Sequence, residues 1–255
     1  MEEKFRKYAK LLLQECLNVK AGQPLLISAP IETYPFVRVL TEQAYLLGIK
    51  DIYFDWEDEV LKRIQLENLN QEEISSSTFW NKSIFDEYAK KNSAFLLLYG
   101  FENEDLSKVE SKLLGYTGSL FRTSRPLYKK RQLAYEVPWC IASAATSNWA
   151  KKIFPESEHA LEDLWNEIFK ICLVNELDPL QAWEMKKQKN KQYCEWLNSL
   201  QLNTLHYENG LGTNFTIELP KNHIWEGTTT IGMDGKEMIV NLPSEEVFTS
   251  PKIGT

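Results

Sequence analysis

Residues 24–29 read Pro-Leu-Leu-Ile-Ser-Ala, an apolar run of strand length with no alternation. A strand with water on one side alternates apolar and polar residues, so an unbroken run suits a strand covered on both faces, as in a parallel sheet. That reading constrains the rest of the chain, because a parallel partner is reached only through a crossover connection, usually a helix. The flanking sequence supplies the helices. Phe5, Tyr8, Ala9, Leu12, Leu13 and Cys16 recur at three- and four-residue steps before Gly22 breaks the pattern, the mark of a helix packed on a core. After the run, Pro35 and Gly48 bracket a second helix whose inner face is Phe36, Val39, Leu40, Gln43, Ala44 and Leu47. Strands are expected at residues 49–55 and 94–99, separated by helical stretches near 57–68 and 79–91. This order predicts an α/β domain with a mainly parallel sheet.

Farther on, Phe121 to Arg131 reads as a basic, turn-prone segment. Residues 137–143 follow as a strand that Pro138 either starts or places at the sheet edge. Two long helices are expected next. One carries Leu161, Leu164, Trp165, Ile168, Phe169 and Cys172; the other opens at Asp178-Pro179 and runs through Ala182, Trp183 and Trp196. Near residue 200 the pattern changes to short strand-like segments. Leu205-His-Tyr and residues 214–219 flank a glycine-rich turn, and Asp234-Gly235 joins residues 228–233 to 237–240 as a hairpin. The expected organisation is an α/β domain over residues 1–200 and the start of a second, β-containing domain over residues 201–255.

Composition excludes several functions. With 43% hydrophobic residues the chain can build an ordinary core, and its net charge of -7 argues against nucleic acid as the main partner. No apolar run is long enough to span a bilayer. The opening MEEKFRKYAK lacks a cationic region followed by an apolar stretch, so the expected location is the cytoplasm. Cys16, Cys140, Cys172 and Cys194 form no CxxC pair and read as reduced core cysteines.

The stretch with most chemistry is Asn241-Leu-Pro-Ser-Glu-Glu-Val-Phe-Thr-Ser-Pro251. A bare Glu-Glu pair is usually a solvated turn. Here Glu245 and Glu246 follow a predicted strand, sit between prolines and lead into Val247 and Phe248, which suits carboxylates held for a divalent metal. Spacing alone does not choose between the two acids. The remaining candidates read more plainly. Arg122, Arg125, Lys129, Lys130 and Arg131 suit a solvated face or a subunit contact in an acidic chain. Gly115 and Gly118 lack the Gly-Lys-Ser/Thr of a phosphate loop, and Trp165, Trp183 and Trp196 suit core anchors. His159, His206 and His223 stand at no ligand spacing, and Ser124 and Ser143 have no histidine–acid pattern near them.

The Asn241–Pro251 stretch resembles the first metal-ligand motif of the thermophilic metallo-aminopeptidases of the aminopeptidase T, aminopeptidase S and PepS type. Other segments resemble that family in the same order: residues 23–32 ending in Ser-Ala-Pro-Ile-Glu, Phe154-Pro155, residues 164–169, residues 178–184, and residues 212–219 followed by Trp225 and Gly227. The resemblance implies a metal-dependent aminopeptidase that removes N-terminal residues from peptides. It further implies a site of two divalent metals, zinc or cobalt, with Glu246 as a metal ligand, and a homodimer. The family's remaining ligands (a glutamate, two histidines, an aspartate and an accompanying tyrosine) lie beyond the last residue here. The chain is therefore expected to be truncated within its catalytic domain, inactive or nearly so alone, and poorly soluble. Two departures are visible: Gly-Thr-Asn214 where the family has Gly-Thr-Asp, and Lys186 where it has a histidine after Ala-Trp-Glu-x. The competing reading is a small-ligand or nucleotide-binding α/β module without catalysis, which the loop Pro-Ile-Glu-Thr-Tyr-Pro weakens because it lacks Gly-x-Gly-x-x-Gly. A third is a catalytically dead remnant that dimerises or binds peptide.

Overall fold

The computed structural model describes residues 1–77, 82–100 and 106–254. Its centre is a five-stranded parallel sheet built from β1 (Leu25–Pro30), β2 (Ile52–Glu57), β3 (Ala94–Tyr99), β4 (Trp139–Ser143) and a short last strand, Asn241–Leu242. The order across the sheet is β2-β1-β3-β4 and then the last strand. Chain direction therefore reverses between β1 and β3, so the crossovers from these two strands leave to opposite sides.

One face of the sheet is covered by α1 (Glu2–Lys10), its π-helical continuation Leu11–Cys16, α2 (Tyr34–Leu46) and the later helix Ala160–Ile171. The wider π turn puts Leu11, Leu12 and Leu13 all out of water, which a 3.6-residue period would not do. Leu25, Ile27 and Ala29 point into this layer, where Phe5, Tyr8, Phe36, Trp165 and Phe169 form an aromatic cluster with centroids 4.9–6.1 Å apart. Leu26 and Phe95 point the other way, onto Phe85, Tyr88 and Tyr128. Burying one large apolar side chain stabilises by about 2 kcal/mol, so two-sided burial of β1 and β3 dominates the fold. The helix α2 ends where expected: Gly48 adopts φ +84°, and a Cβ there would lie 3.0 Å from that of Ala21.

On the second face lie α3 (Glu59–Asn68), α4 (Gln71–Ser76), α5 (Ile84–Lys90), α6 (Ser111–Thr123) and α7 (Pro126–Leu133). The expected helix near 57–68 is α3, begun by Asp58, whose carboxylate accepts from Leu61 N at 3.0 Å. Of the stretch expected at 79–91, α5 is the described portion, and residues 79–81 lie outside the described residues. The basic segment from Phe121 to Arg131 is helical rather than turn-like. Pro126 occupies the first turn of α7, where a missing N–H costs nothing, and Asp86 accepts from Leu127 N and Tyr128 N at 3.2 and 2.8 Å. Nor is this cluster a wholly solvated face. Arg125 is 4% exposed, and Arg131 donates to Glu136, Asn92 and the Ala89 carbonyl. Pro138 starts β4 rather than marking an edge, since the last strand covers its far side.

After β4 come α8 (Ser147–Ile153), α9 (Ala160–Ile171) and the 22-residue α10 (Pro179–Leu200). Asp178 caps α10 through Leu180 N and Gln181 N at 3.0 and 3.1 Å. Trp183 is fully buried and donates to the Cys172 carbonyl at 2.7 Å. Trp196 is 58% exposed and Leu161 42%, because each lies on the outer side of its helix; neither anchors the core. Two antiparallel pairs follow, β5 (Thr204–Glu208) with β6 (Asn214–Glu218), and β7 (Thr230–Ile231) with β8 (Glu237–Met238). The chain then returns to the parallel sheet as β9, the last strand already described. All four cysteines are free, Cys16, Cys140 and Cys172 being buried, and burial pushes the Cys172 thiol up to about 12. Among the described residues no helix is long and apolar enough to cross a membrane.

Trp183→Phe removes the indole donor and leaves a buried carbonyl unpaired, so chemical denaturation should show a loss of about 1–3 kcal/mol. A second expectation concerns acid. Asp51 accepts from Tyr88 Oη at 2.6 Å and Lys91 Nζ at 2.9 Å, and these hydrogen bonds hold its carboxyl below the usual range. A depressed folded pKa gives stability that is complete above the unfolded value, about 3.9, and is lost as pH falls toward the folded value. Asp51→Asn should therefore unfold with a shallower pH dependence below about pH 5, read from melting temperatures between pH 6 and 3.

Candidate functional site

The carboxylate pair is placed by a backbone fixed on both sides. Before it, Asn241 and Leu242 pair with Ile141 and Ala142 of β4, and Leu242 is buried in the main core. After it, Phe248 and Glu226 exchange two backbone hydrogen bonds of 2.8 and 2.9 Å. Between these anchors Ser244 is buried while Glu245 and Glu246 stand exposed. The pair thus emerges at the carboxyl edge of the parallel sheet, beside β4.

The helix α10 supplies the platform beneath. Asn198 clasps the Trp225 backbone, accepting from its N–H at 2.8 Å and donating to its carbonyl at 3.2 Å. Buried Asn190 donates to Thr228 Oγ1. Gly227 fits between them, since a Cβ there would meet Cys194 Sγ at 3.1 Å and the Val247 side chain at 3.5 Å. From the same helix Lys186 reaches Glu245, its Nζ 2.5 Å from Oε1. Glu246 turns back on its own backbone, accepting from Glu245 N at 2.9 Å. The lysine at the position where the resemblance implies histidine therefore meets this carboxylate pair directly.

These residues do not by themselves fit a divalent-metal centre. Glu245 is engaged by a cation, and among the described residues no group of three or more His, Cys, Asp and Glu gathers as ligands. The histidines are elsewhere: His206 meets Thr216 Oγ1 at 2.9 Å, His223 meets the Pro220 carbonyl at 3.1 Å, and His159 precedes α9. Asn214 opens β6, opposite Glu208. Lys186 was visible in the sequence as a departure, but its contact with Glu245 spans 59 residues and no local pattern carries it.

An α/β layer that presents a pinned carboxylate pair at the carboxyl edge of its sheet is the class of protein defined so far. The pattern of the family described as "Thermophilic metalloprotease (M29)" matches residues 1–255, and the chain belongs to that family. It is 31% identical over 252 residues to aminopeptidase AmpS of Bacillus subtilis (strain 168), covering 98% of this chain and 61% of the relative. With aminopeptidase PepS of Streptococcus thermophilus the identity is 32% over 254 residues, with the same coverage of each. The fold also matches the wild-type AmpT structure from Thermus thermophilus, with TM-score 0.87 and 27% identity over 97% of this chain and 61% of that one. The chain thus spans about three-fifths of the length of these relatives.

The frame, more than the ion pair, should hold the site. Lys186→Met should change stability by less than about 1 kcal/mol, as for other exposed pairs. Asn190→Leu, which strands the buried Thr228 hydroxyl, should cost about 1–3 kcal/mol in the same urea titration.

Proposed function

We propose that this chain is the front portion of a metal-dependent aminopeptidase that releases N-terminal residues from peptides. What carries the reading is the family match along the whole chain, together with the pinned backbone that delivers Glu246 to the carboxyl edge of the sheet. Glu246 is one metal ligand in this reading, for a site of two divalent ions, zinc or cobalt. The other donors come from residues outside this sequence, since those present assemble no metal group among the described residues. Residues 1–200 form the α/β domain and residues 201–255 begin the catalytic one; the β5–β6 hairpin, standing outside the parallel sheet, supports that division. A homodimer in the cytoplasm completes the proposal, the location favoured by buried thiols that remain unpaired.

The test uses a leucyl chromogenic amide with and without cobalt or zinc. The 255-residue chain alone should turn it over little or not at all. Fused to the remaining part of an M29 relative, it should show metal-dependent activity that Glu246→Gln lowers at least about 100-fold, given that even outer-shell changes cost 10–100-fold. Strong turnover by the chain alone would refute its expected inactivity. A fusion indifferent to Glu246→Gln would remove that residue from the ligand set.

A further inference from the structure

The carboxyl ends of the central strands hold a cavity of about 490 Å³ that the carboxylate pair does not use. Its floor is the cross-strand row Ser28, Leu97 and Ile141, at the point where chain direction reverses between β1 and β3. In open parallel sheets this crevice is where the two crossovers diverge and leave room for a ligand. The wall comes from single faces of two helices: Leu114, Thr117, Gly118 and Phe121 of α6, and Arg125, Tyr128, Lys129 and Gln132 on α7 and the residue before it. The volume lies within the usual range for small-molecule sites.

The charges in this cavity are out of balance. Lys82, 9% exposed, is held by Asp55 at 2.7 Å and Glu57 at 2.9 Å, and Lys62 also pairs with Glu57. Burial pushes both carboxylates up; the two lysines outweigh it at Glu57 and hold that group low, whereas Asp55 stays high. Those two acids are thereby taken. Arg125, although 96% out of water, has no carboxylate or hydrogen-bond partner for Nε and Nη1 among the described residues. Its guanidinium instead lies 3.5 Å from the Phe121 ring centroid, 4.6 Å from that of Phe85 and 5.3 Å from that of Tyr128. Beside it, burial and then the neighbouring Arg125 and Arg122 hold Lys129 below the ordinary lysine range. A buried guanidinium with no counter-ion is costly unless an anion completes it.

We propose that this cavity binds a small carboxylate carrying an apolar body, with the anion at Arg125 and Lys129 and the body against Leu97, Leu114 and Phe121. A carboxylate suits the site better than a phosphate. Phosphates are usually met by free backbone amides at a helix start, and Asp86 already occupies those of α7. An apolar amino acid and the C-terminal residue of a short peptide share this chemistry. The site stands on different residues from Glu246, and its occupancy does not depend on the aminopeptidase reading.

Gly118 makes the proposal testable without harming the fold. A Cβ there meets only Arg122 Nη1, at 3.8 Å, so a larger side chain enters the cavity, and replacing a helical glycine favours the helix. Calorimetric titration of the 255-residue chain would compare L-leucine, N-acetyl-L-leucine, leucinamide and inorganic phosphate. Neither N-acetyl-leucine nor phosphate is an aminopeptidase substrate, so a null result there leaves the aminopeptidase reading intact. Binding of leucine, N-acetyl-leucine or both, without leucinamide or phosphate, supports the proposal and separates the free amino acid from the peptide end. Arg125→Gln should then weaken binding at least tenfold, and Gly118→Leu should melt no lower than the parent yet lose binding. Equal binding of leucinamide, preference for phosphate, no binding of either carboxylate at millimolar concentration by folded protein, or unchanged binding by a folded Gly118→Leu variant would overturn it.

Discussion

Parallel pairing of β1 with both β2 and β3 is the constraint on which everything else in the molecule rests. A central parallel strand has no wet face, so each of its residues must meet a helix layer on one side or the other. Leu25 and Ile27 are answered by α1, α2 and α9, and Leu26 by α5 and α7. Those helices can only arrive as crossovers, and because β2 and β3 flank β1 the crossovers must part company at its carboxyl end. The cavity at that end is a consequence of this topology.

The same edge of the sheet receives the carboxylate pair by a different route. The chain leaves the parallel layer after β4, runs through three helices and two antiparallel pairs, and re-enters as two residues beside β4. So short a strand contributes little by itself. It is held because Ile239 and Leu242 are buried and because α10 clasps the preceding loop through Asn190 and Asn198. Polar side chains placed on a rigid helix thus set where Glu245 and Glu246 stand, and those acids need spend no burial of their own.

Much of this was legible along the chain. The β3 strand falls on the expected residues 94–99, and the α2 boundaries follow from Pro35 and Gly48, because proline and glycine act within one turn. Both hairpins were visible, since their turns are local. Where the reading failed, the information was not local. The segment from Phe121 to Arg131 looked turn-like by its charge and its proline, but Asp86, some 40 residues earlier, caps it into a helix. Trp196 matched a core pattern and lies outside, because a helix as long as α10 outruns the layer it packs on.

By itself the sequence determined the alternation of strand and helix, the two-sided core, the family to which the chain belongs and the presence of two acids just after a strand. These follow from periodicity, turn chemistry and motif, all of which act over a few residues or along the order of the chain. Only the tertiary structure decided that β9 joins the parallel sheet, that Lys186 lies against Glu245, and that Arg125 is buried among aromatic rings rather than solvated. Each of these depends on which surfaces meet once the layers close, and burial of a charge is a property of its surroundings, not of its neighbours in sequence.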